Sequence, residues 1–471
     1  MRLQLFEATG RPRPPKWRIS SMPGERNYGT SPVQAELSQD CLRDMDYFHY
    51  RERVLYCEDV PVTELARAYG TPLFVYSKRT VLHHLTELRR AFAAVDPLIC
   101  YSIKTNPNLN LCWLMAGAGA GFDVTSGGEL YRALAAGGSG GKIVFAGAGK
   151  TDDEIRYGLE SNVLLFNVES EAELHALADV AAAMGKRAGV ALRVNPALPP
   201  KTHVKTDTSV KGTKFGLDIE TVLDVANTAV GNAHVEIIGL HMHLGSPIIS
   251  VEPYREGIEK GLVLIDRMRK QGHRIRYLNM GGGFGIHYRK QEAPPASAFA
   301  EVIVPAVKSC NCRLILEPGR FITGNAGILL SRVIYTKESG GRHFIIQDAA
   351  MNDLIRPTLY DAFHRIWPVA PAPGLSAPPE DYEADIPNTQ KQDVVGSVCE
   401  SGDFLARDRR LPLLSRGDLL ATFSAGAYGM AMSSNYNSRL RAAEVLVDGT
   451  SHRLIRRRET FEDLVRTEIS L

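Results

Sequence analysis

Several things are scarce in this 471-residue sequence, and each scarcity removes a class of protein. No apolar run is long enough to span a bilayer, which argues against a membrane protein. The formal net charge is only +2, so no global field draws the chain to nucleic acid or to a membrane surface. Cysteines lack any regular spacing. There are seven, at Cys41, Cys57, Cys100, Cys112, Cys310, Cys312 and Cys399. An odd, irregular set argues against a disulfide framework and for a reducing compartment, the cytoplasm. Cys310 and Cys312 lack the second half of a zinc site and read as structural. The N-terminus shows no apolar core of a secretory signal. Residues 1–44 are basic and proline-rich ("RPRPPKWRIS") and carry no hydrophobic period. They read as a disordered tail or an over-extended translation start, with a transit peptide as the alternative.

The rest has an ordinary globular composition, with 44% hydrophobic and 23% charged residues. Eight short apolar runs alternate with Ala/Leu-rich helical stretches. They are "LICYSIKTN", "AGFDVTS", "KIVFAGAGK", "VLLFNVES", "VALRVNP", "EIIGLHMHLGS", "IRYLNMGGGFG" and "CRLILEPGR". Eight such units predict a closed parallel (β/α)8 barrel over residues 76–320, with an open doubly wound sheet as the alternative. Residues 45–75 and 321–471 predict a mostly β domain, a barrel or sandwich, interrupted by an exposed Pro-rich loop at 370–392.

Lys104, Asp123, Arg193, His243, the glycines 281–283 and Glu317 all fall at or near the C-terminal ends of these runs. That end of a barrel carries the active site. A lysine shielded at the mouth has a depressed amine pKa and suits a Schiff base. The competing reading is a lysine that snorkels to the rim or pairs with Asp123. The triple glycine lets backbone N–H groups cradle a phosphate, or else makes a tight turn. His241 and His243 share a face at strand alternation. A metal pair lacks a third ligand there. A flat imidazole would stack on an aromatic cofactor, with Ser246 donating to its phosphate, unless it is simply a core histidine. Glu317 would be a buried carboxylate in need of a cation, either a protonated pyridine nitrogen or a neighbouring side chain. Together these features describe pyridoxal 5'-phosphate.

The motifs "YSIKTN", "GFDVTSGGEL", "RVNP", "KFGL", "GLHMHLGS", "LNMGGGFGI" and "EPGRFITGNAGILL" occur in this order. From about residue 45 to the end, the chain resembles the fold-type III pyridoxal-phosphate decarboxylases. Within them, "AAMNDLIRPTLYDAFH", "VVGSVCESGDFLA" and "AGAYGMAMSSNYNSR" are similar to the diaminopimelate-decarboxylating branch. The resemblance implies decarboxylation of meso-2,6-diaminopimelate to L-lysine by a homodimer with shared active sites. It implies that Lys104 bears the cofactor, Glu317 holds its ring nitrogen and His243 stacks on its ring. Asp123 and Arg193 would complete the cofactor set. Ser246, Gly281, Gly282, Gly283, Gly319, Arg320 and Tyr428 would surround the phosphate. Arg320, Arg356, Tyr360 and Tyr428 would bind substrate. Cys399 and Glu400 would come from the second subunit, Cys399 to reprotonate the substrate carbon and Glu400 to bind the distal amino group. Pro247, Ser102 and Thr105 depart from the family's usual residues, and the 370–392 loop is longer. A sister decarboxylase of ornithine, arginine or carboxynorspermidine, or a non-catalytic regulatory binding protein, stays open as an alternative.

Overall fold

The computed structural model describes residues 46–197, 213–289, 293–375, 377–379 and 386–469. The expectations for residues 1–44 lie outside the described residues. Among the described residues no helix is long and apolar enough to cross a membrane.

Eight parallel strands close on themselves. They are β1 (Leu98–Ser102), β2 (Gly121–Val124), β3 (Ile143–Phe145), β4 (Leu165–Val168), β5 (Ala188–Asn195), β6 (Val235–His241), β7 (Tyr277–Asn279) and β8 (Arg313–Leu316). Each pairs with the next, and β8 pairs with β1. The eight apolar runs are these eight strands, and the open-sheet alternative falls.

The runs are continuous rather than alternating because both faces of each strand are covered. Leu98, Cys100, Val144, Leu165, Ala191, Ile238 and Ile315 form one cluster filling the barrel. Their strand neighbours Ile99, Tyr101, Phe122, Ile143 and Phe145 pack with the surrounding helices instead. Burying each Leu or Ile contributes about 1.5–3 kcal/mol.

The second sheet is mixed, as expected of a mostly β region. Its strands run in the spatial order Phe404–Pro412, Thr389–Val395, Arg342–Gln347, Gly327–Ser339, Leu73–Ser77, Ala443–Asp448 and Ser451–Arg456. The strand Thr389–Val395 takes the end of the stretch read as a loop over 370–392. It does so by pairing with strands on both sides, which its own polar composition does not announce. Residues 376 and 380–385 of that stretch lie outside the described residues.

Leu73–Ser77 enters this sheet from the N-terminal side of the barrel. It is antiparallel to Gly327–Ser339 and parallel to Ala443–Asp448. The helix Lys78–Ala91 follows at once. The Ser77 hydroxyl caps it, accepting from Thr80 N at 3.0 Å. Buried Glu58 accepts from Arg79 N at 2.8 Å and from the Ser77 hydroxyl at 2.8 Å. A carboxylate at a helix N-terminus is favoured by the helix dipole.

The segment after β1 is clamped against the second sheet. Tyr428 N donates to Thr105 O at 2.8 Å, and Asn106 Nδ2 donates to Gly426 O at 3.1 Å. Asn108 Nδ2 donates to Glu444 Oε2 at 2.8 Å, while the Tyr76 hydroxyl donates to Glu444 Oε1 at 2.8 Å. This accounts for the polar string "KTNPN" closing an apolar run: buried polar groups need partners, and the facing sheet supplies them.

Candidate active site

Lys104 sits in the single turn Ile103–Thr105 that ends β1. Its Nζ lies 3.6 Å from Asp123 Oδ2, and its side chain is 42% exposed. The expectation of a depressed amine is overturned. Burial pulls the pKa down, but Asp123, Tyr428, Glu317 and Glu129 outweigh it and raise the amine above its usual value. Ionic pairing with Asp123, the competing reading, is what the structure shows.

Asp123 is buried on β2 and accepts from the Ser102 hydroxyl at 2.7 Å. Burial and the nearby Glu317 push its carboxyl up to about 7, against the pull of Lys104 and Ser102.

Glu317 follows β8 and is buried. Asn167 Nδ2 at the end of β4 and Asn279 Nδ2 at the end of β7 both donate to its Oε1, at 2.9 and 2.6 Å. His241 Nε2 stands 3.3 Å from Oε2. Burial favours the protonated acid, but His241, Asn279 and Lys104 prevail and hold the carboxyl well below its ordinary range. Strand β6 ends at His241, so the expected alternation does not extend to His243. His241 faces Glu317, and His243 belongs to the loop beyond. Burial and the charges of Lys104 and Arg193 hold the His243 imidazole well below its usual pKa, hence neutral. Among the described residues no cluster of three or more ligands could hold a metal ion.

The triple glycine is required by space. A Cβ on Gly282 would lie 2.1 Å from Glu317 O, and one on Gly283 2.2 Å from Gly245 O. Gly281 and Gly283 also have φ of +64° and +101°, the region that favours glycine. Gly282 N donates to His243 Nδ1 at 3.4 Å, joining the glycine loop to the imidazole. Ser246 stands one residue beyond Gly245 in the same neighbourhood. Gly319 packs against the lysine turn, where a Cβ would meet Thr105 Cγ2 at 2.3 Å.

Arg320 and Arg356 converge on a residue that the sequence reading missed. Arg320 Nη1 donates to the Tyr288 hydroxyl at 2.6 Å, and the Arg356 guanidinium lies 5.2 Å from the Tyr288 ring centre. Burial raises the Tyr288 pKa, but the two guanidinium groups overcome it and lower the phenol. Arg356 also contacts His364 Nε2 at 2.9 Å, and burial beside that charge pushes His364 down to about 3. The Arg320 guanidinium also lies 4.9 Å from the Tyr428 ring, while Tyr360 closes the short helix begun by Arg356.

Three further expected residues have their own partners within the chain. Arg193 donates from Nη1 to both oxygens of Glu169 at 2.9 Å, and that carboxylate also accepts from Gly216 N at 3.2 Å. Cys399 and Glu400 are exposed in the second sheet's own loops. Cys399 N donates to Asn437 Oδ1 at 2.8 Å, and Glu400 Oε2 accepts from the Tyr436 hydroxyl at 2.8 Å. Asn167, Asn279 and Glu169 carried a signal that was passed over: each is a polar residue at the end of an apolar run.

A family model for the pyridoxal binding domain of pyridoxal-dependent decarboxylases matches residues 78–324. Diaminopimelate decarboxylase of Aquifex aeolicus is 44% identical over 426 residues, covering 90% of this chain and 98% of that protein. The chain belongs to the diaminopimelate decarboxylases. The family member from Pseudomonas aeruginosa is 45% identical over 420 residues, covering 89% of this chain and 98% of its own. Diaminopimelate decarboxylase of Helicobacter pylori, solved in complex with L-lysine, superposes with a TM-score of 0.81 at 35% identity. It covers 86% of this chain and 99% of its own.

Proposed function

We propose that this chain decarboxylates meso-2,6-diaminopimelate at its D-configured centre, giving L-lysine and carbon dioxide, with pyridoxal 5'-phosphate as cofactor. The observation that carries the reading is Glu317, a buried carboxylate held ionised by two asparagines and His241, with Lys104 in the same charge network. The donor set fits the cofactor: an amine for its aldehyde, a carboxylate for its ring nitrogen, and glycine backbone where a Cβ has no room. The bound cofactor supplies the electron sink that decarboxylation needs.

The chain's own residues would do the rest. Lys104 would hold the cofactor covalently, and Glu317 would accept the ring N–H. Neutral His243 would offer a flat face to the ring without competing for charge. Gly281, Gly282, Gly283, Ser246, Gly319 and Tyr428 would surround the phosphate, and Asp123 would face the lysine nitrogen. Arg193, held by Glu169, would contribute its charge from the rim. Arg320 and Arg356 present fork geometry to carboxylates, aligned by Tyr288 and joined by Tyr360. Cys399 would return a proton to the substrate carbon, and Glu400 would bind the distal amino group. Both would act across the interface of a homodimer, consistent with their exposure. In this reading residues 76–320 form the cofactor-binding barrel, and 45–75 with 321–471 complete the site. The six described cysteines are free, which supports a cytoplasmic setting.

Carbon dioxide release tests the assignment, with and without added cofactor, on meso-diaminopimelate, ornithine, arginine and carboxynorspermidine. Cofactor-dependent release from diaminopimelate alone is expected. Release from another of the four moves the chain to a sister activity, and release from none removes the catalytic reading.

A further inference from the structure

Ser102 closes β1 two residues before Lys104, 2% exposed, and its hydroxyl donates to Asp123 Oδ2 at 2.7 Å. The same oxygen faces Lys104 Nζ at 3.6 Å. The other carboxylate oxygen, Asp123 Oδ1, is buried without a hydrogen-bond partner. The Ser102 backbone is fixed as well, since its N–H donates to Pro318 O at 3.1 Å, next to Glu317.

We propose that Ser102 is a positioning residue, whose hydroxyl holds the Asp123 carboxyl group aimed at the Lys104 nitrogen. This rests on the cofactor reading above.

The groups facing Asp123 come from three other elements. Lys104 on the turn after β1 favours its charge. Glu317 after β8 and Glu129 on the helix Gly127–Ala135 oppose it, and burial opposes it most. Against these, the carboxylate has one ammonium and one hydroxyl. Once Lys104 is committed to the cofactor, the ammonium is no longer free to pair. The hydroxyl is then the one side-chain donor within hydrogen-bond distance of Asp123 among the described residues. A donor to an ionised carboxylate lowers its pKa, so deleting the donor raises it.

The test uses the holoenzyme and three variants: Ser102→Ala, Asp123→Asn, and the double variant. Alanine is smaller than serine and fits the same space. The resting visible absorbance of the bound cofactor is titrated from pH 5 to 9, and the pH profile of kcat/KM is measured beside it. In Ser102→Ala the acidic step in both should move up by about one pH unit. In Asp123→Asn and in the double variant the step should vanish. A merely structural serine would change the melting temperature and leave the midpoint where it was. An unmoved midpoint in Ser102→Ala overturns this inference alone, as does a step that persists in Asp123→Asn. A wild-type chain that takes up no cofactor overturns both this inference and the reading beneath it.

Discussion

Tyr288→Phe would remove one oxygen and leave a ring of the same shape between Arg320 and Arg356. The lost group is the acceptor that aligns Arg320. A hydrogen bond to a charged group is worth about 1.5–3 kcal/mol, so a misaligned guanidinium should raise KM for diaminopimelate roughly tenfold. The change in kcat should be smaller, and an unchanged KM would detach Tyr288 from substrate binding. Asp353 is a second informative residue. Burial pushes its carboxyl up to about 7, and its Oδ1 has no partner. An unfolded aspartate ionises near pH 4, by contrast. Between those values the unfolded chain has released a proton that the folded chain still holds, so rising pH favours unfolding. The stability tied to this proton is present below about pH 4 and lost by about pH 7. Asp353→Asn removes that slope. Its melting temperature relative to wild type should become more favourable from pH 5 to pH 8, and a flat or opposite trend would contradict the assignment. Residues of this kind were hard to read from sequence. Lys104 and Glu317 stood out because each interrupts or ends an apolar run. Tyr288 and His364 did not, because they acquire meaning only when separate loops meet.

At the scale of elements, the barrel was legible and the second sheet only in outline. Parallel strands covered on both faces leave runs such as "LICYS" that nothing else in a globular chain explains. Thr389–Val395 lacks such a run, and its pairing with Arg342–Gln347 and Phe404–Pro412 has no local sign. The glycine loop after β7 gives a direct test of element geometry. In Gly282→Ala the new Cβ would collide with Glu317 O and C, both backbone atoms that no rotamer change can move aside. The loop after β8 must shift, carrying Glu317 with it. Cofactor affinity, read by absorbance titration, should fall at least roughly tenfold, a loss of about 1.4 kcal/mol. Unchanged affinity would show that the loop is not part of the cradle.

The whole molecule is at issue in the dimer reading. Lys104→Ala and Cys399→Ala homodimers should each be inactive. In a mixed dimer, one site carries both lesions and the other carries neither. Random exchange makes about half of the dimers mixed, so activity should return to roughly a quarter of wild type. If subunits demonstrably exchange and activity stays at the parents' level, Cys399 does not act across an interface. The path of the chain through the second sheet has a further consequence, in the order of synthesis. Leu73–Ser77 is made before the barrel, yet its parallel neighbour Ala443–Asp448 is made only after the whole barrel. Until then this strand, fully buried in the finished fold, has an open edge, the kind of surface that recruits other chains. The Lys104 turn, clamped to Gly426, Tyr428 and Glu444, waits for the same residues. A nascent chain therefore gains the partners of the Lys104 turn only once Gly426, Tyr428 and Glu444 have been made, so a chain terminated before them should form a barrel whose Lys104 turn lacks these hydrogen bonds.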